Sequence, residues 1–259
     1  MMRALVTGAG KRLGRAMALK LAARGYDVAV HYGNSQREAQ DTVAEIRALD
    51  RQAVALRADL LSEEAAQDLL PAAALALGGP ITCLVNNASI FEHDRATTAS
   101  RDSWDRHMGS NLRAPFVLIQ NMAAQDLDLS LDANGEPLAA GLVVNMIDQR
   151  VRKLTPEFFS YTLAKSALWT LTQTAAQALS PLLRVNAIGP GPTLAGPRQS
   201  LDDFTQQRAS TLLQRGANPG DVTAALAYLL DAPAVTGQMI CVDGGQHLSW
   251  QTADAMGRE

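Results

Sequence analysis

The chain has 259 residues, 47% of them apolar and 19% charged, which supports a sizeable core and argues against wholesale disorder. Its 26 acidic and 23 basic residues leave a net charge of −3, so no nucleic-acid partner is expected, because such binders carry a basic face or run. Cys83 and Cys241 sit apart in apolar runs, which suits neither a disulfide framework nor a metal site, and no apolar run reaches the roughly 20 residues needed to span a bilayer.

Strand-length apolar runs occupy residues 4–7, 28–32, 53–57, 81–86, 141–146, 184–188 and 239–242. Each is aliphatic or β-branched on both faces, as in a parallel sheet covered by helices on both sides. Helical patterns lie between them over 13–24, 36–49, 63–77 and 160–179. The alternation predicts one α/β domain over residues 1–259, a doubly wound Rossmann-type fold with seven parallel strands. Met1 leads directly into the first strand with no signal-peptide pattern, so a cytoplasmic protein is expected. Two segments break the alternation. Residues 126–140 are polar around Asn134-Gly135 and are expected to form a surface loop. Residues 189–198 are rich in Pro and Gly, and a polar helix-like stretch follows over 199–214. An irregular segment near the carboxyl ends of strands suits a lid or binding loop.

The first strand ends in Thr7-Gly8-Ala9-Gly10-Lys11-Arg12-Leu13-Gly14, where the first helix begins. Glycines in such a turn bring backbone N–H groups close to a pyrophosphate. The second strand ends in His31-Tyr32-Gly33-Asn34-Ser35, without the acid that holds the ribose 2′-hydroxyl in an NAD site. Lys11 and Arg12 in the turn suit a 2′-phosphate, so NADP(H) is the expected cofactor. His31 is either part of that site or a packed strand residue. Tyr161 and Lys165 stand four apart in a helical pattern and share a face. An ammonium near the phenol is expected to lower its pKa and make it a better acid near neutral pH.

With these residues in place, the chain resembles the short-chain dehydrogenase/reductase family over nearly its whole length. The resemblance rests on the Thr7-Gly8 turn, Asp59, Asn86-Asn87-Ala88, Asn111, Tyr161, Lys165, Pro190-Gly191-Pro192-Thr193 and Val242-Asp243-Gly244-Gly245. It implies that Asp59 neighbours the adenine, that Asn87 and Ala88 line the cofactor, and that Lys165 bonds the nicotinamide ribose. Gly8, Leu13, Asn34, Ser35, Leu60, Ser89, Met146, Pro190, Gly191 and Thr193 complete the expected cofactor contacts. Asn111 is expected to help hold a water in the proton relay. A homo-oligomer, typically a tetramer, is also implied.

Two departures from the family pattern point to one branch. Arg12 stands where the turn usually has glycine, and Asp148 stands where the catalytic serine usually lies, thirteen residues before the tyrosine. Both resemble the pteridine reductases, as do Lys11-Arg12-Leu13-Gly14, His31-Tyr32, Asn86-Asn87-Ala88-Ser89 and Phe91. That likeness implies a pterin stacked between Phe91 and the nicotinamide, with Arg12 reaching both cofactor and substrate. An ionised Asp148 would oppose negative charge growing on a ketone oxygen but suits a ring nitrogen that gains a proton. The expected protein is therefore an NADPH-dependent reductase of a pterin-like imine, with Asp148, Tyr161, Lys165 and Asn111 catalytic. Arg12, Ser89, Phe91, Asp148 and Tyr161 are its expected substrate contacts. Reduction of another carbonyl, quinone or imine, and a nonenzymatic NADP-binding role, remain the alternatives. Phe91 is either a stacking platform or a core ring beneath its loop.

Overall fold

Strands that are apolar on both faces hydrogen-bond side by side, and helices cover what they leave exposed. The computed structural model describes residues 2–196 and 199–250. Residues 197 and 198, within the irregular segment expected over 189–198, lie outside the described residues, as do Met1 and 251–259. In chain order the elements are β1 (Arg3–Val6), α1 (Arg12–Ala23), β2 (Asp27–Tyr32), α2 (Gln36–Arg47), β3 (Ala53–Arg57), α3 (Glu63–Ala76), β4 (Cys83–Asn86) and α4 (Arg101–Met108). A π-helical turn (Gly109–Arg113) joins α4 to α5 (Ala114–Ala123). There follow β5 (Ser130–Leu131), β6 (Pro137–Leu138), β7 (Gly141–Met146), α6 (Phe159–Leu179), β8 (Leu183–Pro190), α7 (Leu201–Ala209), α8 (Pro219–Asp231) and β9 (Met239–Val242).

Seven of the strands form one parallel sheet in the order β3-β2-β1-β4-β7-β8-β9. Alternation along each strand divides the core in two. Ala4 and Val6 face a cluster with Met17 and Leu21 of α1, Ile46 of α2 and Leu226 of α8. Leu5, between them, faces a second cluster with Leu70 of α3, Leu118 and Met122 of α5, and Ala176 of α6. The order of the strands reverses between β1 and β4, so a crevice opens outside their carboxyl ends, where doubly wound sheets bind ligands.

Two expectations change. Residues 126–140 are not wholly a loop: β5 and β6 pair there as a short antiparallel hairpin. Asn134 and Gly135 lie at its tip, and the Asp132 carboxylate accepts the N–H groups of Asn134 (2.8 Å) and Glu136 (2.9 Å). The helix expected over 199–214 contracts to α7, which Ser200 caps by accepting the Asp203 N–H (3.1 Å).

Candidate active site

The glycine turn is sewn to the neighbouring strand end across the switch point. Thr7 Oγ1 accepts the N–H groups of Asn87 (2.8 Å) and Ala88 (2.9 Å). The Asn87 amide donates to the carbonyls of Thr7 (2.8 Å) and Gly8 (3.2 Å). Gly8 adopts a φ of 62°, and a Cβ on Gly14 would run into the Gly8 carbonyl. The turn therefore leaves its backbone open at the amino end of α1, a cradle that fits a pyrophosphate.

Three residues expected at this cradle have other occupations. His31 is buried; its Nδ1 accepts the Gly8 N–H (3.0 Å) and its Nε2 faces the Ala58 carbonyl (3.1 Å). It shapes the turn from behind, with no ring nitrogen left for a phosphate. Burial also lowers its pKa, which keeps the ring neutral, with Nε2 as the donor. Lys11 pairs with Glu38 of α2 at 2.6 Å, so its charge is shared with an acid that lies beyond the end of β2. Arg12 takes a φ of 53°, which explains why glycine is usual there, and donates to the carbonyls of Ala195 (2.9 Å) and Leu194 (3.0 Å). It bridges the turn to the 190–196 segment instead of pointing freely into the crevice.

Beyond the turn lies a cleft of about 800 Å³ lined by Gly8, Lys11, Arg12, Leu13, Asn87, Ala88, Ser89, Phe91, Met146, Asp148, Tyr161, Lys165, Pro190, Gly191 and Thr193. At its floor the Tyr161 hydroxyl donates to Asp148 Oδ2 at 2.9 Å. Asp148 Oδ1 accepts the Arg150 N–H at 2.8 Å. Lys165 Nζ donates to the Met146 carbonyl at 2.7 Å and lies 5.8 Å from the Tyr161 ring centre. Burial lowers the Lys165 pKa to about 8, although the Asp148 carboxylate favours its charge. The pKa of Tyr161 moves opposite to expectation. Burial and then the Asp148 carboxylate push it well above the usual phenol value, and the Arg150 charge and the Ser89 hydroxyl only partly oppose them. A buried phenol beside a carboxylate keeps its proton, so Tyr161 is a hydrogen-bond donor here. Burial also raises the Asp148 pKa, against the Arg150 N–H and charge.

Asn111 is fully buried in the π-helical turn, and its amide is spent on Ile90: Oδ1 accepts the Ile90 N–H and Nδ2 donates to the Ile90 carbonyl, both at 2.8 Å. Its side chain therefore fixes the loop that carries Ser89 and Phe91. Pro115 lacks the N–H that an α-helix would send to the Asn111 carbonyl, where the chain widens. Asn34, Ser35, Asp59 and Leu60 do not line the cleft; they lie just past β2 and β3. Ser35 Oγ sits against the turn, 3.1 Å from where a Cβ on Gly10 would stand.

Phe91 is 44% exposed, which excludes a buried core ring. Its ring stacks on Phe158 at 4.1 Å and meets Tyr161 edge-on at 4.7 Å. Phe158, which belongs to no sequence motif, holds a left-handed φ of 56° just before α6 and carries the Arg150 guanidinium 5.2 Å from its centre. No local pattern announces this pairing, since Phe91 and Phe158 meet only across the fold.

The family model described as enoyl-(acyl carrier protein) reductase matches residues 8–247. The chain belongs to the short-chain dehydrogenase/reductase family. It is 30% identical to the 3-oxoacyl-[acyl-carrier-protein] reductase FabG of Staphylococcus epidermidis, over 95% of this chain and 98% of that one. It is 42% identical to FolM alternative dihydrofolate reductase 1 from Brucella suis, solved in complex with NADP, with a TM-score of 0.89 over 98% of each chain. A short-chain dehydrogenase from Burkholderia cenocepacia, also solved with NADP, is 31% identical with a TM-score of 0.85, over 95% of this chain and 97% of that one. The cleft of this chain joins the Asp148 carboxyl to the Tyr161 hydroxyl, Arg12 at a positive φ in the turn, and the Phe91–Phe158 stack.

Proposed function

We propose that the protein uses NADPH to reduce a carbon–nitrogen double bond in a pterin-like ring of the dihydropterin or dihydrofolate type. The observation that carries the reading is the Tyr161–Asp148 pair at 2.9 Å beneath the exposed Phe91 ring. When bound, the reduced cofactor supplies a hydride to the ring carbon. The neighbouring ring nitrogen then needs a proton, and the Tyr161 hydroxyl and the Asp148 carboxyl hold one between them. A carboxylate beside that nitrogen favours the positive character it gains, whereas it would oppose an alkoxide. Phe91 offers a platform for a flat heterocycle, contributing on the order of 1 kcal/mol beyond burial. The glycine cradle, Asn87, Ala88 and Lys165 would hold the cofactor. The resemblance to FolM of Brucella suis supports the same substrate class. The FabG relative favours a second reading, reduction of a carbonyl compound.

A panel of dihydropterins and dihydrofolate beside a panel of ketones and quinones, all with NADPH, separates the two. Turnover confined to the pterins is the expected result. Turnover confined to ketones would replace the reading with the second one, and NADPH binding with no turnover would favour a nonenzymatic role. The cofactor preference has its own test. The turn between β2 and α2 carries Asn34 and Ser35 and no acid, so Ser35→Asp is expected to weaken NADPH more than NADH, because a carboxylate repels the 2′-phosphate. Equal kcat/KM for the two cofactors in the parent would contradict the assignment.

A further inference from the structure

The loop that carries Phe91 is bonded to the protein at every second residue. Ile90 is held by Asn111, as described. The Glu92 N–H donates to His107 Nε2 at 3.1 Å. Asp94 accepts the Ser160 N–H (3.1 Å) on Oδ1, and the hydroxyls of Ser103 (2.9 Å) and Ser160 on Oδ2. Alternating with these anchors, Ser89 and Phe91 line the cleft, and His93 packs on Phe158 with ring centres 5.2 Å apart. The bonding therefore turns one set of side chains inward and leaves the other as a wall.

The same anchors hold the start of α6. Phe158 precedes that helix without a capping side chain. The first N–H groups of α6 go instead to Asp94: Phe159 N–H to its carbonyl (3.2 Å) and Ser160 N–H to its carboxylate. A carboxylate at a helix amino end is favoured by the helix dipole. Burial works against the Asp94 charge, but the hydroxyls of Ser160 and Ser103 outweigh it and hold its pKa below the usual carboxylate value. His107 lies 3.0 Å from Ser160 Oγ through Nδ1, and its ring meets the Tyr161 ring edge-on at 6.2 Å. Asp94, His107 and Ser160 are 3%, 0% and 0% exposed, and Tyr161 follows Ser160 directly.

We propose that Asp94, His107 and Ser160 are positioning residues that set the Phe91 ring against the Tyr161 ring and thereby determine how tightly a flat ring substrate is held. The proposal rests on the reading that Phe91 meets the substrate. It predicts that breaking the cluster mimics loss of the Phe91 ring. His107→Leu removes the acceptor for the Glu92 N–H, and His107→Gln returns one. With the parent enzyme's best substrate, His107→Leu and Ser160→Ala are expected to raise KM about tenfold, the scale of one or two hydrogen bonds, with kcat and NADPH affinity retained. Phe91→Ala should raise KM in the same way. The double variant His107→Leu/Phe91→Ala should be no worse than Phe91→Ala alone, since residues that act through one ring are not additive. His107→Gln should recover most of the parent KM. An unchanged KM in His107→Leu, or additive losses in the double variant, would overturn the proposal. So would parallel loss of kcat, NADPH affinity and melting temperature, which marks a merely structural cluster. If His107→Leu does not fold, Ser160→Ala and its double variant with Phe91→Ala make the same comparison. Should the best substrate prove to be a ketone, the pterin reading fails while these comparisons, run on that ketone, still decide the role of the cluster.

Discussion

Asp148→Asn is expected to lower pterin turnover by about 10²-fold, the scale of a lost proton-transfer group, while leaving NADPH binding in place. Asparagine keeps the shape and an acceptor for the Tyr161 hydroxyl but can neither carry the charge nor relay the proton. Stability provides the control. Because burial raises the Asp148 pKa, the folded state resists ionising the carboxyl more than the unfolded state does. The stability this gives the parent is complete below the unfolded carboxylate value and is lost as pH rises through the folded value. The asparagine variant escapes that loss, so its melting temperature should match the parent's in acid and exceed it at neutral pH. A variant that melts higher and turns over less has lost chemistry and not structure. Asp148→Ser is the complementary change. It restores a neutral donor to a growing oxyanion, and weak activity on activated ketones should appear as pterin reduction falls. A parent that reduces ketones well and tolerates asparagine would end the pterin assignment.

Tyr161→Phe keeps the ring against Phe91 and removes only the hydroxyl. The expected result is a loss of about 10²- to 10⁴-fold in kcat, with little change in substrate affinity, since the stacking surface remains. The Tyr161 hydroxyl donates to Asp148 at 2.9 Å, so the two groups share one proton path and their losses should not add. The double variant Tyr161→Phe/Asp148→Asn should therefore be close to the worse single variant. Near-parent kcat in Tyr161→Phe would assign proton delivery to Asp148 or to water.

The alternation of apolar runs and helical patterns was enough to find the seven strands of the sheet, because strand and helix periodicities are properties of neighbouring residues, whereas the order of those strands is a long-range property. Residues 53–57, 141–146 and 239–242 coincide with β3, β7 and β9. The glycine turn and the spacing of Tyr161 and Lys165 are likewise local, and they located the cleft. Residues 126–140 read as a loop because strands of two residues carry no period; only pairing across Asn134-Gly135 makes them strands. The sequence placed Asp148 at the serine position, but the bond to Tyr161 and the burial that raises both pKa values needed the packed floor of the cleft.

Local pattern suffices for the fold, the family and most of the polar groups brought to the carboxyl edge of the sheet. The partner that each group takes is set by packing. His31 turns to Gly8, Arg12 to Leu194 and Ala195, Asn111 to Ile90, and Asp94 to Ser160. These partners are separated by 21 residues or more along the chain, and no periodicity encodes them. A buried polar group must be satisfied by whatever the fold brings within about 3 Å. That choice is made by packing, after the strands and helices have formed.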